Sequence, residues 1–202
     1  MNDRQFLWGL SGGVGVFAIA GAFWFGLGIS AVPTNAGWPV FALMTAFQVG
    51  GCAALLWAAV RLRRKSRFRA SELRQFDERQ KAETRHIMTV FRWTVVGQIV
   101  LIGSAVLWCV LAHAEPMIWP SIGLVVSLHL IPFARIFHVR AYYLAAGAGS
   151  IISLVAFTGL TDPYRLAFLC GGMAAVMWVS AVYLLSSADR IAGRALREPW
   201  AV

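Results

Sequence analysis

Val60-Arg61-Leu62-Arg63-Arg64-Lys65-Ser66-Arg67-Phe68-Arg69 ends an apolar run that begins at Trp38, and charge continues to Arg92 before a second apolar run opens at Trp93. The segment from Arg61 to Arg92 holds 11 basic and 4 acidic residues. A dense cationic connection between two long apolar runs is the pattern of two transmembrane helices joined on the cytoplasmic side, because basic flanks stay cytoplasmic during insertion. Pairs such as Arg74/Glu78 and Asp77/Lys81 stand four residues apart. That spacing supports helix, so both flanking helices are expected to run on past the apolar stretch as charged arms.

The alternation repeats along the chain. Apolar stretches at Phe6–Ile29, Trp38–Val60, Trp93–Ala112, Ile118–Phe137, Tyr142–Leu160 and Leu166–Leu185 each meet the roughly 20 residues that cross hydrocarbon. Short turns rich in helix breakers separate them: Val32-Pro33-Thr34-Asn35-Ala36-Gly37, Glu115-Pro116 and Asp162-Pro163. A zigzag through the six stretches puts 17 of the 18 Lys and Arg residues on one face and leaves only Arg165 on the other. The inner side carries 17 basic against 7 acidic residues, and the outer side sets Arg165 against Glu115 and Asp162. The expected fold is all-α: a polytopic transmembrane bundle of six spans, N- and C-termini cytoplasmic, with residues 1–202 forming a single membrane domain. Trp8, Trp93 and Trp200 on the inner side, and Trp38 and Trp119 on the outer, stand where an aromatic belt would place them.

Composition agrees. The chain is 59% hydrophobic and 13% charged, against about 25% charged for a soluble domain. The net charge of +9 would suggest nucleic acid in a soluble protein, but positive-inside topology accounts for it, so no nucleic-acid partner is expected. The first stretch is much longer than the roughly 7–15 residues of a signal-peptide apolar region, so it reads as a retained helix. Cys52, Cys109 and Cys170 lie inside apolar runs without metal-ligand spacing, as buried thiols acting as small hydrophobes would. No metal and no cofactor is expected.

Polar groups inside hydrocarbon are the usual functional pointers. No Asp, Glu or Lys falls within the six stretches, which weighs against ion-coupled transport on a buried carboxylate and against paired-carboxylate chemistry. The remaining pocket candidates are Gln98, His129, Ser150 and Ser180, with Gln48 nearer the outer side. At a rise of about 1.5 Å per residue the four lie roughly 9–14 Å from the cytoplasmic ends of their helices. Pro132 has no N–H, and its ring displaces the carbonyl of Leu128, so a kink beside His129 is expected. Two readings stay open: a neutral His129 bonded to Gln98 or a serine and locking the bundle, or a polar pocket open to the cytoplasm for a small ligand or solute. Arg135, Arg140 and Tyr143 bracket the turn between the fourth and fifth stretches, either as snorkelling cations or as a headgroup site.

Close helix contacts in lipid need small residues. Gly9 and Gly13, then Ala18, Ala22 and Gly26, Gly50 and Ala54, and Gly171 and Ala175 recur at four-residue spacing. Gly50-Gly51-Cys52-Ala53-Ala54-Leu55-Leu56-Trp57 also matches Gly171-Gly172-Met173-Ala174-Ala175-Val176-Met177-Trp178 at five positions, as a duplicated hairpin or coincidence would.

Leu128-His129-Leu130-Ile131-Pro132-Phe133-Ala134-Arg135-Ile136-Phe137, followed by Val139, Tyr142-Tyr143 and Gly147, resembles a stretch in small uncharacterised bacterial inner-membrane proteins with six helices. Those carry a His-aromatic-x-Pro segment leading into a Tyr-Tyr-x-x-x-Gly helix. The resemblance covers about 20 of the 202 residues, and this chain departs from it with Leu130 in place of an aromatic and Arg140 in place of proline. It implies a bacterial inner (plasma) membrane location and a six-helix fold, and it brings no activity with it.

Enzyme patterns fit poorly. Gly147-Ala148-Gly149-Ser150 is loosely like an intramembrane serine-protease site, but the sixth stretch has no histidine partner, and no aspartate-rich helix of a phosphatidyltransferase is present. The expectation is a non-enzymatic structural, regulatory or interaction protein. Its contacts would be membrane lipids, through anionic headgroups at the cytoplasmic face, and a cytoplasmic protein partner at loop 61–92. The alternative is a small-solute transporter or channel.

Overall fold

A computed structural model describes residues 3–31, 37–65, 78–137, 139–161 and 164–197. The described chain is helical, with no strand among those residues. The elements are α1 (Asp3–Ser30), α2 (Trp38–Lys65), α3 (Glu78–Leu111), a 3-10 turn (Glu115–Met117), α4 (Ile118–Leu128), α5 (Leu130–Phe137), α6 (Arg140–Thr158) and α7 (Tyr164–Arg197). Six stretches among them are long and apolar enough to cross a bilayer: Leu10–Ser30, Trp38–Arg64, Arg85–Leu111, Glu115–Ile136, Arg140–Thr158 and Tyr164–Ala188. Hydrocarbon offers no hydrogen-bond partners, so a spanning segment must satisfy its backbone internally, and the helix does so. Large apolar side chains line the outside: Leu43 and Trp108 are 73% exposed, where a lipid tail is as good a neighbour as a protein side chain.

On either side of the basic connection the helices continue past the apolar stretch, α2 to Lys65 and α3 from Glu78. The 66–77 connection, the side chains of Trp8, His138 and Trp200, and the Arg74/Glu78 and Asp77/Lys81 pairs lie outside the described residues.

The fourth span is broken where proline demands it. α4 ends at Leu128 and α5 starts at Leu130, with His129 between them three residues before Pro132. The α3 terminus closes with His113 in the left-handed region at φ 51°. Ala114 N–H donates to Cys109 O at 2.8 Å and His113 N–H to Val110 O at 3.1 Å, the paired bonds of a Schellman ending.

The chain forms two compact units, one of Met1–Arg67 with Met173–Val202, the other of Phe68–Gly172. In the first, α1 buries Leu10, Val14, Phe17, Ala18, Gly21 and Trp24, one stripe at helical spacing. α1 packs on α2. Phe25 meets Phe47 at 5.8 Å between centroids, and Gln48 Nε2 donates to Ala22 O at 2.8 Å, so one index rises as the other falls, as in an antiparallel pair. Trp178 of α7 stacks on Phe25 at 5.5 Å, lies 5.5 Å from Phe47, and donates its indole N–H to Ala18 O at 3.3 Å. Gly21 and Gly51 give this ring its space, since a methyl on Gly51 would stand 3.4 Å from it and one on Gly21 would overlap it.

In the second unit α4 and α6 pack through small residues. Gly123 and Ser127 are buried on α4, and Ala145, Ala146, Gly149, Ser153 and Ala156 on α6. A methyl on Gly123 would come within 2.7 Å of Ser153 Oγ. Both serines hide their hydroxyls on their own helices, Ser127 on Gly123 O at 2.8 Å and Ser153 on Gly149 O at 2.9 Å.

Two of the expected small-residue pairs do not make these contacts. Gly50, Ala54, Gly171 and Ala175 are exposed, and nothing lies within 4 Å of where a side chain on Gly50 or Gly171 would begin. The contacting glycines are the next ones along: Gly51 against Trp178, and Gly172, where a methyl would meet Ile152 at 3.0 Å. One residue is about 100° of helix rotation, enough to carry a side chain from the packed face to the lipid. Gly123 and Ser127 with Gly149 and Ser153 have the same four-residue spacing, and that spacing was the available signal for the α4–α6 contact.

Candidate functional site

His129 is the one histidine set deep in an expected span, and the break at Pro132 decides its geometry. Its Nδ1 bonds the carbonyl of Val126, three residues back on the same chain segment. A carbonyl can only accept, so the proton sits on Nδ1 and Nε2 is left as the basic nitrogen. The expected partners Gln98 or a serine are therefore replaced by the backbone. The loosened helix end brings a carbonyl within reach of the ring, and a local bond orders fewer groups than one between helices.

An aromatic cluster adjoins the ring. His129 meets Phe133 edge-on at 5.4 Å, Phe133 stacks on Phe91 of α3 at 5.4 Å, and Tyr142 of α6 meets Phe133 edge-on at 6.5 Å. Phe133 and Tyr142 are buried, and Phe91 is 40% exposed. Three helical segments thus converge on Phe133. The sequence carries the signal for this cluster in the i,i+4 pair His129/Phe133, but the contribution of Phe91 from a distant helix has no local signature.

The other three pocket candidates are dispersed. Gln98 is half-buried on α3, and no hydrogen bond joins it to His129 or Ser150 among the described residues. Ser150, on α6, has its hydroxyl oxygen buried without a hydrogen-bond partner. Ser180 is buried at 7% exposure and belongs to the unit containing residues 173–202, whereas Gln98, His129 and Ser150 belong to the other. Arg135 in the last turn of α5, Arg140 at the start of α6, and Tyr143 are all exposed, and no hydrogen bond among the described residues joins them. Exposure of long cations at a span end suits snorkelling.

No serine or cysteine among the described residues is hydrogen-bonded to His129, whose nearest described ring neighbour is aromatic, so no nucleophile–base pair is assembled there. No group of three His, Cys, Asp or Glu suited to a metal ion occurs among the described residues. The chemistry open to this site is hydrogen bonding at Nε2 and apolar contact with Phe133 and its neighbours. Comparison with protein-family models, with curated proteins and with solved structures finds no match, so the reading rests on the chain itself.

Proposed function

We propose that this chain is a non-enzymatic, multi-pass protein of the bacterial inner (plasma) membrane with a structural or interaction role. Both termini face the cytoplasm, and the basic segment 61–92 is the contact surface, toward anionic headgroups and a cytoplasmic protein partner. The charge asymmetry of the sequence supports the orientation, and basic residues near an anionic surface contribute about 1 kcal/mol each. The observation that carries the structural role is the closure of His129 on Val126 O against Phe133, whose ring joins α5 to Phe91 of α3 and Tyr142 of α6.

One observation favours a second reading. The Ser150 hydroxyl is buried without a partner, and a buried hydroxyl in that state is costly unless water or a ligand meets it. That is what a solute path past Gln98, His129 and Ser150 would supply. Single cysteines at these three positions, in a chain lacking Cys52, Cys109 and Cys170, separate the two. Under the structural reading all three stay inert to a membrane-impermeant thiol reagent applied from the cytoplasmic side. Labelling at 129 and 150 would instead establish a wet pocket.

A further inference from the structure

One face of α2 stays open along the Trp38–Arg64 span. Leu43, Gly50, Ala54, Trp57, Arg61 and Arg64 follow at steps of seven, four or three, the spacing that keeps residues on one side of a helix. All six are exposed. We propose that this face binds one phospholipid with an anionic headgroup, its phosphate against Arg61 and Arg64 and an acyl chain along Ala54 and Gly50. The assignment rests on the reading of segment 61–92 as a surface for anionic headgroups, and names the place where that surface takes hold of a single lipid.

Charge selects the headgroup. The turn Arg61–Lys65 holds four basic residues and no acidic one, and no acidic side chain among the described residues pairs with Arg61 or Arg64. The Arg61 guanidinium lies 5.4 Å from the centre of the Trp57 ring. Stacking on an aromatic face orders a guanidinium and leaves its in-plane N–H groups free for phosphate. Trp57 is left exposed, whereas the matching Trp178 of α7 stacks on Phe25. The repeated motif therefore does not demand an outward ring, and the border of headgroup and hydrocarbon is where such a ring is favoured. Shape selects the chain. Nothing lies within 4 Å of where a side chain on Gly50 would begin, and Ala54 adds only a methyl, so the helix surface is sunken between Leu43 and Trp57. Gly50 stands eleven residue steps from Arg61, about 16 Å along the axis, close to half of the roughly 30 Å hydrocarbon core. That is the depth of one leaflet. A soluble anion would gain nothing from the trough, and a neutral lipid would leave the arginines unanswered.

The test uses the full chain purified in a non-ionic detergent, with binding of dioleoyl-phosphatidylglycerol and dioleoyl-phosphatidylcholine followed by native mass spectrometry. Wild type should prefer the anionic lipid. The double variant Arg61→Gln/Arg64→Gln should weaken its binding about twentyfold to thirtyfold, at about fivefold for each basic residue near an anionic surface, and abolish the preference. Gly50→Leu, which keeps both cations and fills the trough, should weaken binding about fivefold to tenfold, the loss of one or two methylene contacts. Arg85→Gln/Arg92→Gln, which removes two exposed cations at the other end of the basic segment, should leave binding nearly unchanged. Every substituted position is exposed, so the variants keep the fold. Equal binding of the two lipids by wild type overturns the site, and wild-type binding by Gly50→Leu overturns the trough. Equal losses from the two double variants overturn this site and leave the wider surface of segment 61–92 standing. No loss from either double variant overturns both.

Discussion

A serine hydroxyl in a membrane helix usually bends back to the carbonyl four residues earlier, where it is satisfied without a partner helix. Ser121, Ser127 and Ser153 do so at 2.8–2.9 Å, and Ser150 does not. If nothing meets that hydroxyl, Ser150→Ala removes a desolvated polar group and raises stability by about 1 kcal/mol, read as a higher midpoint of thermal unfolding in detergent. A lower midpoint would mean that water or a ligand occupies the site, and the solute-path reading would gain. Gly21 makes the opposite case. Any side chain there overlaps the Trp178 ring, which would have to leave Phe25 and the Ala18 carbonyl. Overpacking of this kind costs typically about 1–3 kcal/mol, so Gly21→Ala should lower the midpoint. Gly50→Ala, whose methyl enters open space, is the control and should leave it nearly unchanged.

Helix endings and breaks repeat the lesson at the scale of elements. α3 stops because His113 adopts φ 51° and lets Ala114 and His113 close on Cys109 and Val110. A residue with a β-carbon in that conformation costs roughly 1–2 kcal/mol; glycine escapes that cost, though its greater loss of freedom on folding offsets part of the gain. His113→Gly should therefore stabilise the protein by up to about 1 kcal/mol, and His113→Ala should bring no comparable gain; the same unfolding assay checks both. The α4/α5 break was legible from Pro132, because a missing N–H is a local fact. The partner of His129 was not. Three helices and one backbone carbonyl competed for the ring, and the carbonyl won by proximity. The small-residue faces divided in the same way. Their spacing was visible, but their rotation about each helix axis depends on which neighbours arrive, and Gly51 and Gly172 took the places expected for Gly50 and Gly171.

For the whole molecule the testable statement is orientation. Reporters fused after Ala36, after Ser66 and after Val202 should be active outside, inside and inside, by complementary phosphatase and fluorescence readouts. A periplasmic signal after Val202 would overturn both the cytoplasmic termini and the assignment of segment 61–92 as an inner contact surface. The helical extensions of α2 to Lys65 and α3 from Glu78 strengthen the case for a display role, since they carry the start and end of the basic segment as regular structure. Trp57 illustrates how such an end is built: it is 65% exposed, with the Arg61 guanidinium 5.4 Å from its centre, an aromatic and a cation joined one turn apart where a lipid surface would begin.

The amino-acid order alone determined the helical class, the six spans and the interruption at Pro132. Each follows from a local or one-dimensional property: the length of an apolar run against a fixed hydrocarbon thickness, or a ring where a backbone donor should be. Only the tertiary structure decided which small residues touch, that His129 closes on its own backbone beside Phe133, that the Ser150 hydroxyl is left unmet, and that Trp57 is left exposed beside Arg61. Those depend on the rotation of each helix about its axis. Apolar sequence in lipid scarcely constrains that rotation, because every face of such a helix is equally at home against hydrocarbon until another helix packs against it.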